Sequence, residues 1–419
     1  MAAATVRDID AFTQDARHWL SNNAVLRPNT TTADDAWGAG SDSVAVFFNL
    51  THAQEHDLIE AARAWQQKKF DAGFGAISWP TEFGGGGMPR SFERAYSAEE
   101  SRYQTPNAGE LFPTSLGLIA TTIAAYGTDD QKAKFLRPML RTEILGCQLF
   151  SEPGAGSDLA SLGMRAERDG DEWVLNGQKI WTSGAMFADI GEAICRTDPN
   201  APKHKGMTAF LVPFKSPGVE IRPIKQMSGG SNFNEVFFTD VRVPDSLRLG
   251  PVGEGWRVAL TTLGFERDHS GGGTAVGGSF RHLLNLARWL ERTTDPTVRQ
   301  QLAQAYIKAR VAHYTNRRAA AGMKAGQTPG PEASLGKIMW TQGMQHTTEV
   351  VSLLLGPRLI ADTGEWGTWA WREHVLGAPG YKIAGGSDEI QRNIIGERVL
   401  GLPKEPELPR DTPFRLLPK

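Results

Sequence analysis

The chain has 419 residues and carries Lys+Arg 45 against Asp+Glu 47, a formal charge of −2 that sets aside no basic surface for nucleic acid or an anionic membrane. At about 150 residues per domain the length suits two or three domains, with a core large enough to need neither disulfides nor structural metals. Hydrophobic content of 40% and charged content of 22% exclude a disordered chain, and two cysteines, Cys147 and Cys195, exclude a disulfide framework or a four-thiolate zinc site.

Met1 to Leu20 carries Asp8, Asp10 and Asp15 and no continuous apolar stretch, so it reads as neither a secretory signal nor a transit peptide, and a cytoplasmic location is expected. Thr51 with Gln54 has the form of a capping box, and Leu58, Ile59, Ala62 and Trp65 follow at helical spacing. Glu93 to Tyr103 and Asp129 to Leu140 read as further helices, with a Trp-Pro…Gly-Gly turn at residues 79–87 before them. Leu111 to Thr128 is the longest uncharged run; Pro113, Gly117 and its Ser and Thr residues make it a buried helix, not a membrane span.

From Cys147 the texture changes to short β-branched and aromatic stretches: Trp173 to Leu175, Ile190 to Cys195, Thr208 to Val212 and Val236 to Val243, punctuated by Gly and Pro. After Gly253 helices return. Trp256, Leu260 and Leu263 open one, and Phe280 to Leu290 a second. Asp295 caps a third with Pro296 at its first position, Glu332 to Leu355 forms a fourth, and Ser387 to Leu400 closes the series. The expectation is an α+β multidomain chain, with helices over 1–145, a β module over 146–250 and a helical bundle over 251–419. No nicotinamide-type βαβ pattern is present.

Three passages carry chemistry. In Cys147 to Asp158, Gly154 and Gly156 let the backbone approach a bulky ligand while Ser151 and Ser157 supply short hydroxyls; a plain Gly-rich turn has the same look. In Leu175 to Gly184, Asn176-Gly177 reads as a hairpin turn, and the strand after it sends Trp181 and Ser183 to one face, where an indole and a hydroxyl suit a flat heteroaromatic ring. In Gly385 to Arg398, two glycines precede an N-cap at Ser387 or Asp388, a helix start whose N–H groups favour a polar ligand, although capping alone explains it.

Together these passages resemble the acyl-CoA dehydrogenase family, flavoproteins that oxidise an acyl-CoA thioester to its 2,3-enoyl form. The resemblance runs from the turn at residues 79–87 to the Gln-Arg-Asn-Ile-Ile-Gly-Glu-Arg stretch that begins at Gln391. It implies an N-terminal helical domain, a middle β-barrel and a C-terminal four-helix bundle. It also implies FAD as cofactor, an acyl-CoA substrate from fatty acid or steroid catabolism, and an electron-transfer flavoprotein as electron acceptor. By position, Gln148, Phe150 and Ser151 resemble residues lining the flavin ring, and Gly156 and Ser157 a loop between FAD and the CoA arm. Trp181 and Ser183 resemble residues covering the isoalloxazine, and Ser387 and Glu389 ones reaching the FAD phosphate and ribose.

The reaction needs a base for the α-proton and donors for the thioester oxygen. In the commonest branch the base is a Glu at the position held here by Gly385, which has no side chain to take a proton. Another branch carries its Glu on the first long bundle helix, and Thr261 to Arg267 resembles that version, with Glu266 as base; an exposed Glu-Arg pair is the ordinary alternative. The Gly385 N–H remains a donor, and Arg267 is expected to steer CoA phosphates or pair locally. The Arg-x-x-Phe-Gly stretch of many homotetrameric members is reduced to Arg292 without Phe-Gly, and Gln-x-x-Gly-Gly becomes Leu353 to Pro357. The chain therefore looks closer to bacterial members that take bulky substrates, including steroid side chains, some of them heteromeric. A homo- or hetero-oligomer is expected. A catalytically silent partner subunit, or a flavin oxidase or monooxygenase on the same fold, stand as alternatives. His52 and His56, four apart on a helix, lack a third ligand and read as a solvated face. The run Gly271 to Gly273 with Gly277 and Gly278 is expected to thin a helix and make room for a wide acyl group.

Overall fold

The computed structural model describes residues 8–27, 44–47, 49–106, 109–270, 276–324, 330–331, 333–360, 368–406, 409 and 411–417. The first third is helical, with α1 (Ile9–Asn23), α2 (His52–Asp71), α3 (Arg90–Glu100), a π-helical turn (Pro113–Ile119) running into α4 (Ala120–Tyr126), and α5 (Asp129–Leu140). A two-stranded ribbon pairs β1 (Val25–Leu26) with β2 (Tyr103–Gln104). The capping box is formed as expected: Gln54 N donates to Thr51 Oγ1 at 3.3 Å and Thr51 N to Gln54 Oε1 at 3.0 Å. Thr128 and Gln131 repeat the device on α5, and Gln131 Nε2 also donates to Ser246 O (2.8 Å) and Arg248 O (2.9 Å), fastening α5 to the sheet.

The middle module is an eight-stranded mixed sheet built from β3 (Gly146–Leu149), β4 (Arg165–Asp169), β5 (Glu172–Ser183), β6 (Ile190–Arg196), β7 (Met207–Pro213), β8 (Val219–Ile224), β9 (Phe233–Pro244) and β10 (Arg248–Leu249). The order is β10-β7-β6-β4-β5-β9-β8, and β3 lies parallel to β6. Asn176-Gly177 does not make a hairpin. It lies inside β5 at a bulge where the register against β9 slips between Leu175 and Gly177, with Gly177 at φ +148°; the turn falls earlier, at Gly170. A Cβ at Gly177 would come within 2.9 Å of Met164, so the glycine serves a close approach of chains rather than a reversal.

The bundle follows: α6 (Gly255–Ser270), α7 (Phe280–Trp289), α8 (Pro296–Lys324), α9 (Ala333–Leu355), α10 (Thr368–Ile383) and α11 (Asp388–Ile394), which passes into a π-helical turn (Ile395–Val399). Asp295 caps α8 as expected, its Oδ1 accepting from Thr297 N (2.9 Å) and Val298 N (3.2 Å). Gly277 and Gly278 do not thin a helix: they follow α6 in a turn at φ +82° and +81°, where a Cβ would press on His374 and Val44 respectively. Gly271 to Gly273 lie outside the described residues.

The largest core cluster is continuous across these parts. Ile119, Ile123, Leu136 and Met139 from the helices pack with Leu149, Ala193, Phe210 and Val241 of the sheet and with Val258 and Ala259 of α6. Helix α6 is thereby seated on both the sheet and the N-terminal helices. No helix among the described residues is long and apolar enough to cross a membrane.

Candidate active site

The loop after β3 is closed by a buried ion pair. Lys179 Nζ, on β5 and 0% exposed, donates to Glu152 Oε1 at 2.8 Å, to Phe150 O at 2.9 Å and to Ile194 O at 2.8 Å. Glu152 in turn accepts from Gly163 N (2.7 Å) and Met164 N (2.9 Å). All three ammonium protons and both carboxylate oxygens are therefore used, which offsets the desolvation of the pair. The excursion between Glu152 and Gly163 is pinched at its base and leaves Gly154, Gly156 and Ser157 exposed at its tip. A Cβ on Gly154 or Gly156 would meet nothing within 4 Å, so a ligand can lie directly on this backbone. The sequence showed both Glu152 and Lys179 inside motifs, but their pairing was not anticipated.

The same pair sets Trp181. Ile180 N donates to Ser151 O (2.9 Å), and a second irregularity in the β5–β9 ladder falls between Lys179 and Thr182. It shifts the phase of β5: Lys179 and Thr182 point inward, while Trp181 and Ser183 turn outward together. Trp181 reaches this position at φ +62°, a left-handed conformation that is strained for an indole-bearing residue, and stays 57% exposed. The indole thus presents a large aromatic face to solvent near the end of β5.

Two polar side-chain atoms of β3 and β5 lack partners. The Nε2 of Gln148 and the Oγ1 of Thr182 are buried without a hydrogen bond. Phe150 places its ring in the core at 5% exposure, leaving its carbonyl to Lys179. The structure thus gathers Gln148, Phe150, Ser151, Trp181 and Ser183 along one seam of β3 and β5. An unpaired amide donor and an exposed indole suit the polar edge and face of a flavin ring, and the bare glycine loop leaves room for a ligand beside it.

Gly385, Ser387 and Glu389 belong to the α10–α11 turn. Gly385 and Gly386 adopt φ +65° and +82°, and Ser387 caps α11 by accepting from Ile390 N at 3.3 Å. Glu389 is exposed, with Arg392 at 3.4 Å. Asp388 is the buried member, held by Lys337 (3.0 Å) and Thr341 (2.8 Å). An aromatic column joins this turn to the β5 seam: Trp181 to Phe233 (6.1 Å), Phe233 to Phe47 (5.3 Å), and Phe47 stacked on Tyr381 (5.1 Å), one turn before Gly385. Tyr381 Oη donates to Glu110 Oε1 at 2.9 Å, and burial raises its phenol above the usual range.

Glu266 and Arg267 lie in the last turns of α6, and their side chains are outside the described residues. Arg292 is folded back on its own turn, pairing with Asp295 (2.7 Å) and donating to Leu353 O (3.1 Å), so the two altered passages of the bundle are neighbours.

Family models for the N-terminal, middle and C-terminal domains of acyl-CoA dehydrogenase match residues 44–143, 147–241 and 253–400. The chain is 37% identical over 405 residues to acyl-CoA dehydrogenase IpdE1 of Mycobacterium tuberculosis (strain ATCC 25618 / H37Rv), covering 96% of this chain and 99% of that one. Among solved structures, the Tcur3481-Tcur3483 steroid ACAD is similar at a TM-score of 0.73 and 28% identity, over 96% of this chain and 100% of that one. The ChsE4-ChsE5 complex from Mycobacterium tuberculosis is similar at 0.71 and 26%, over 97% and 100%. The three-part fold and these matches make the chain a member of the acyl-CoA dehydrogenase family, whose members are flavoproteins, and an oxidoreductase of that type.

Proposed function

We propose that this chain is an FAD-dependent dehydrogenase of the cytoplasm acting on the α,β-bond of an acyl-CoA thioester with a bulky, steroid-like acyl group. The observation that carries the reading is Trp181, strained at φ +62° and 57% exposed, next to Ile180, whose N–H donates to Ser151 O. Bound FAD supplies a hydride acceptor at N5 for the β-hydrogen, and an electron-transfer flavoprotein takes the electrons onward.

The chain's own residues do the rest. Gln148 and Ser151 would line the ring edge with Phe150 supporting them from the core, Trp181 and Ser183 would cover the ring, and Ser387 and Glu389 would reach the phosphate and ribose. Gly156 and Ser157 bring bare backbone and a hydroxyl to the junction with the CoA arm, where Arg267 draws the CoA phosphates. Glu266 takes the α-proton. The Gly385 N–H donates to the thioester oxygen as enolate charge grows there. The absence of a side chain at Gly385 favours a carboxylate supplied by α6, and the likeness to a steroid ACAD supports the substrate class.

Replacing the indole separates cofactor binding from folding. Trp181→Gly relaxes a left-handed residue but gives up the part-buried face of the indole, so the melting temperature is expected to stay within the equivalent of about 2 kcal/mol of wild type. Bound FAD, measured by visible absorbance after gel filtration, is expected to drop. Full retention of flavin by this variant would remove Trp181 from the site.

A second reading, a silent partner subunit completing another chain's site, is favoured by one observation. Arg292 is spent on Asp295 and Leu353 O rather than presented outward, in a chain similar to two-component structures. The spectrum of the chain purified alone separates the two readings.

A further inference from the structure

Glu192 is a carboxyl on β6 with 0% exposure, at a position where the strand is buried along its whole length. Its Oε1 lies 2.8 Å from Thr262 Oγ1 on α6; Thr262 Oγ1 lies 2.9 Å from Thr122 Oγ1 on α4, which donates to Leu118 O at 2.8 Å. One line of oxygens thus crosses from the sheet through the opening bundle helix to the N-terminal helices. The second oxygen of Glu192 has no partner. Thr262 stands one helical turn before residue 266, on the same face of α6.

We propose that Glu192 is a positioning residue that, through Thr262 and Thr122, locks α6 onto β6 and α4 and so fixes the place from which residue 266 is presented. The catalytic consequence rests on the reading of Glu266 as base; the docking of α6 does not.

Proton counting supports a neutral acid. Each threonine hydroxyl has one proton to give. If Glu192 is protonated, it donates to Thr262, Thr262 to Thr122, and Thr122 to Leu118 O, with Val258 O, at 3.2 Å, as the longer alternative acceptor for the Thr262 proton. Ionised, Glu192 takes the Thr262 proton and Thr262 that of Thr122, so the chain reverses, Leu118 O loses the Thr122 bond and a charge is left buried. Burial raises its pKa to about 8, opposed only by the Thr262 hydroxyl. The groups facing it carry no charge: Gln148 from β3, Leu211 from β7, Thr262 from α6, and Thr122 behind it from α4.

The sign follows. A carboxyl raised from 4.5 to about 8 in the docked state holds α6 most firmly at acidic pH. Docking then weakens by up to about tenfold per pH unit between those values and levels off above them. The test is amide hydrogen exchange of α6 in the flavin-loaded enzyme, read as the ratio of wild type to Glu192→Gln at each pH, with Thr262→Val alongside. The ratio is expected near one at acidic pH, rising toward neutrality and flat above about pH 8. Thr262→Val is expected to raise α6 exchange about tenfold at every pH and to lower kcat several-fold, with KM and flavin content unchanged. A ratio that stays at one throughout, or an unchanged kcat in Thr262→Val, overturns the assignment. A Glu266→Gln enzyme that still turns over would overturn the base instead and leave the exchange result standing.

Discussion

Glu266→Gln is expected to lower kcat by about 10²–10⁴-fold, the range that a positioned general base contributes. Purified protein should keep its FAD spectrum, because residue 266 belongs to α6 and not to the β3–β5 seam that gathers the flavin-facing residues. The amide is close in size to the acid but cannot accept the proton, so KM should move little. A stringent form adds Gly385→Glu to the inactive variant. The carboxylate then stands where the commonest branch of the family carries it, and part of the lost rate should return. Recovery will be partial because residue 385 sits at φ +65°, which costs a side chain roughly 1–2 kcal/mol. Near-normal turnover of Glu266→Gln alone, measured by flavin reduction with acyl-CoA, contradicts the base assignment.

Lys179→Met is expected to be the most destabilising single change in the β module, by about 3–5 kcal/mol, since it strands a carboxylate whose partner was buried. Lys179 is 0% exposed and fills three acceptors, so two carbonyls lose their donor as well. At roughly 0.9 kcal/mol per kelvin for a chain of this length, the calorimetric midpoint should fall by about 3–6 °C. Glu152→Leu combined with Lys179→Met should recover part of the loss, because it removes the orphaned charge. Flavin content should fall with the single change, since Lys179 holds both the Phe150 carbonyl and the bulge that aims Trp181. A Lys179→Met protein with wild-type midpoint and full flavin would show that the pair anchors nothing.

Local signals were legible where their physics is local. The Thr51–Gln54 box, Asp295 with Pro296, and Ser387 each satisfy N–H groups within three residues, so a short window of sequence contains the whole interaction. Helix α10 was missed for the opposite reason. Gly377, Pro379 and Gly380 argue against a helix, yet Gly377 and Gly380 are what let Val46 and Phe47 pack close against it. Asn176-Gly177 carries the strongest short-range hairpin signal there is, but its meaning was set by Met164, just before β4. Glu192 was invisible as well: a single acid in a short apolar strand reads as its solvent face, and only the stacking of α6 over that strand shows that β6 has none. The flavin-facing residues were legible as motifs, whereas the strain at Trp181 and the ion pair beneath it required the fold.

Anaerobic addition of a steroid-side-chain acyl-CoA thioester to the chain purified alone, followed by visible absorbance, tests the central claim most directly. The proposed dehydrogenase arrives with FAD bound and its flavin band bleaches as enoyl product forms. A colourless protein, or a flavin band untouched by a panel of straight, branched and steroid thioesters, would contradict it.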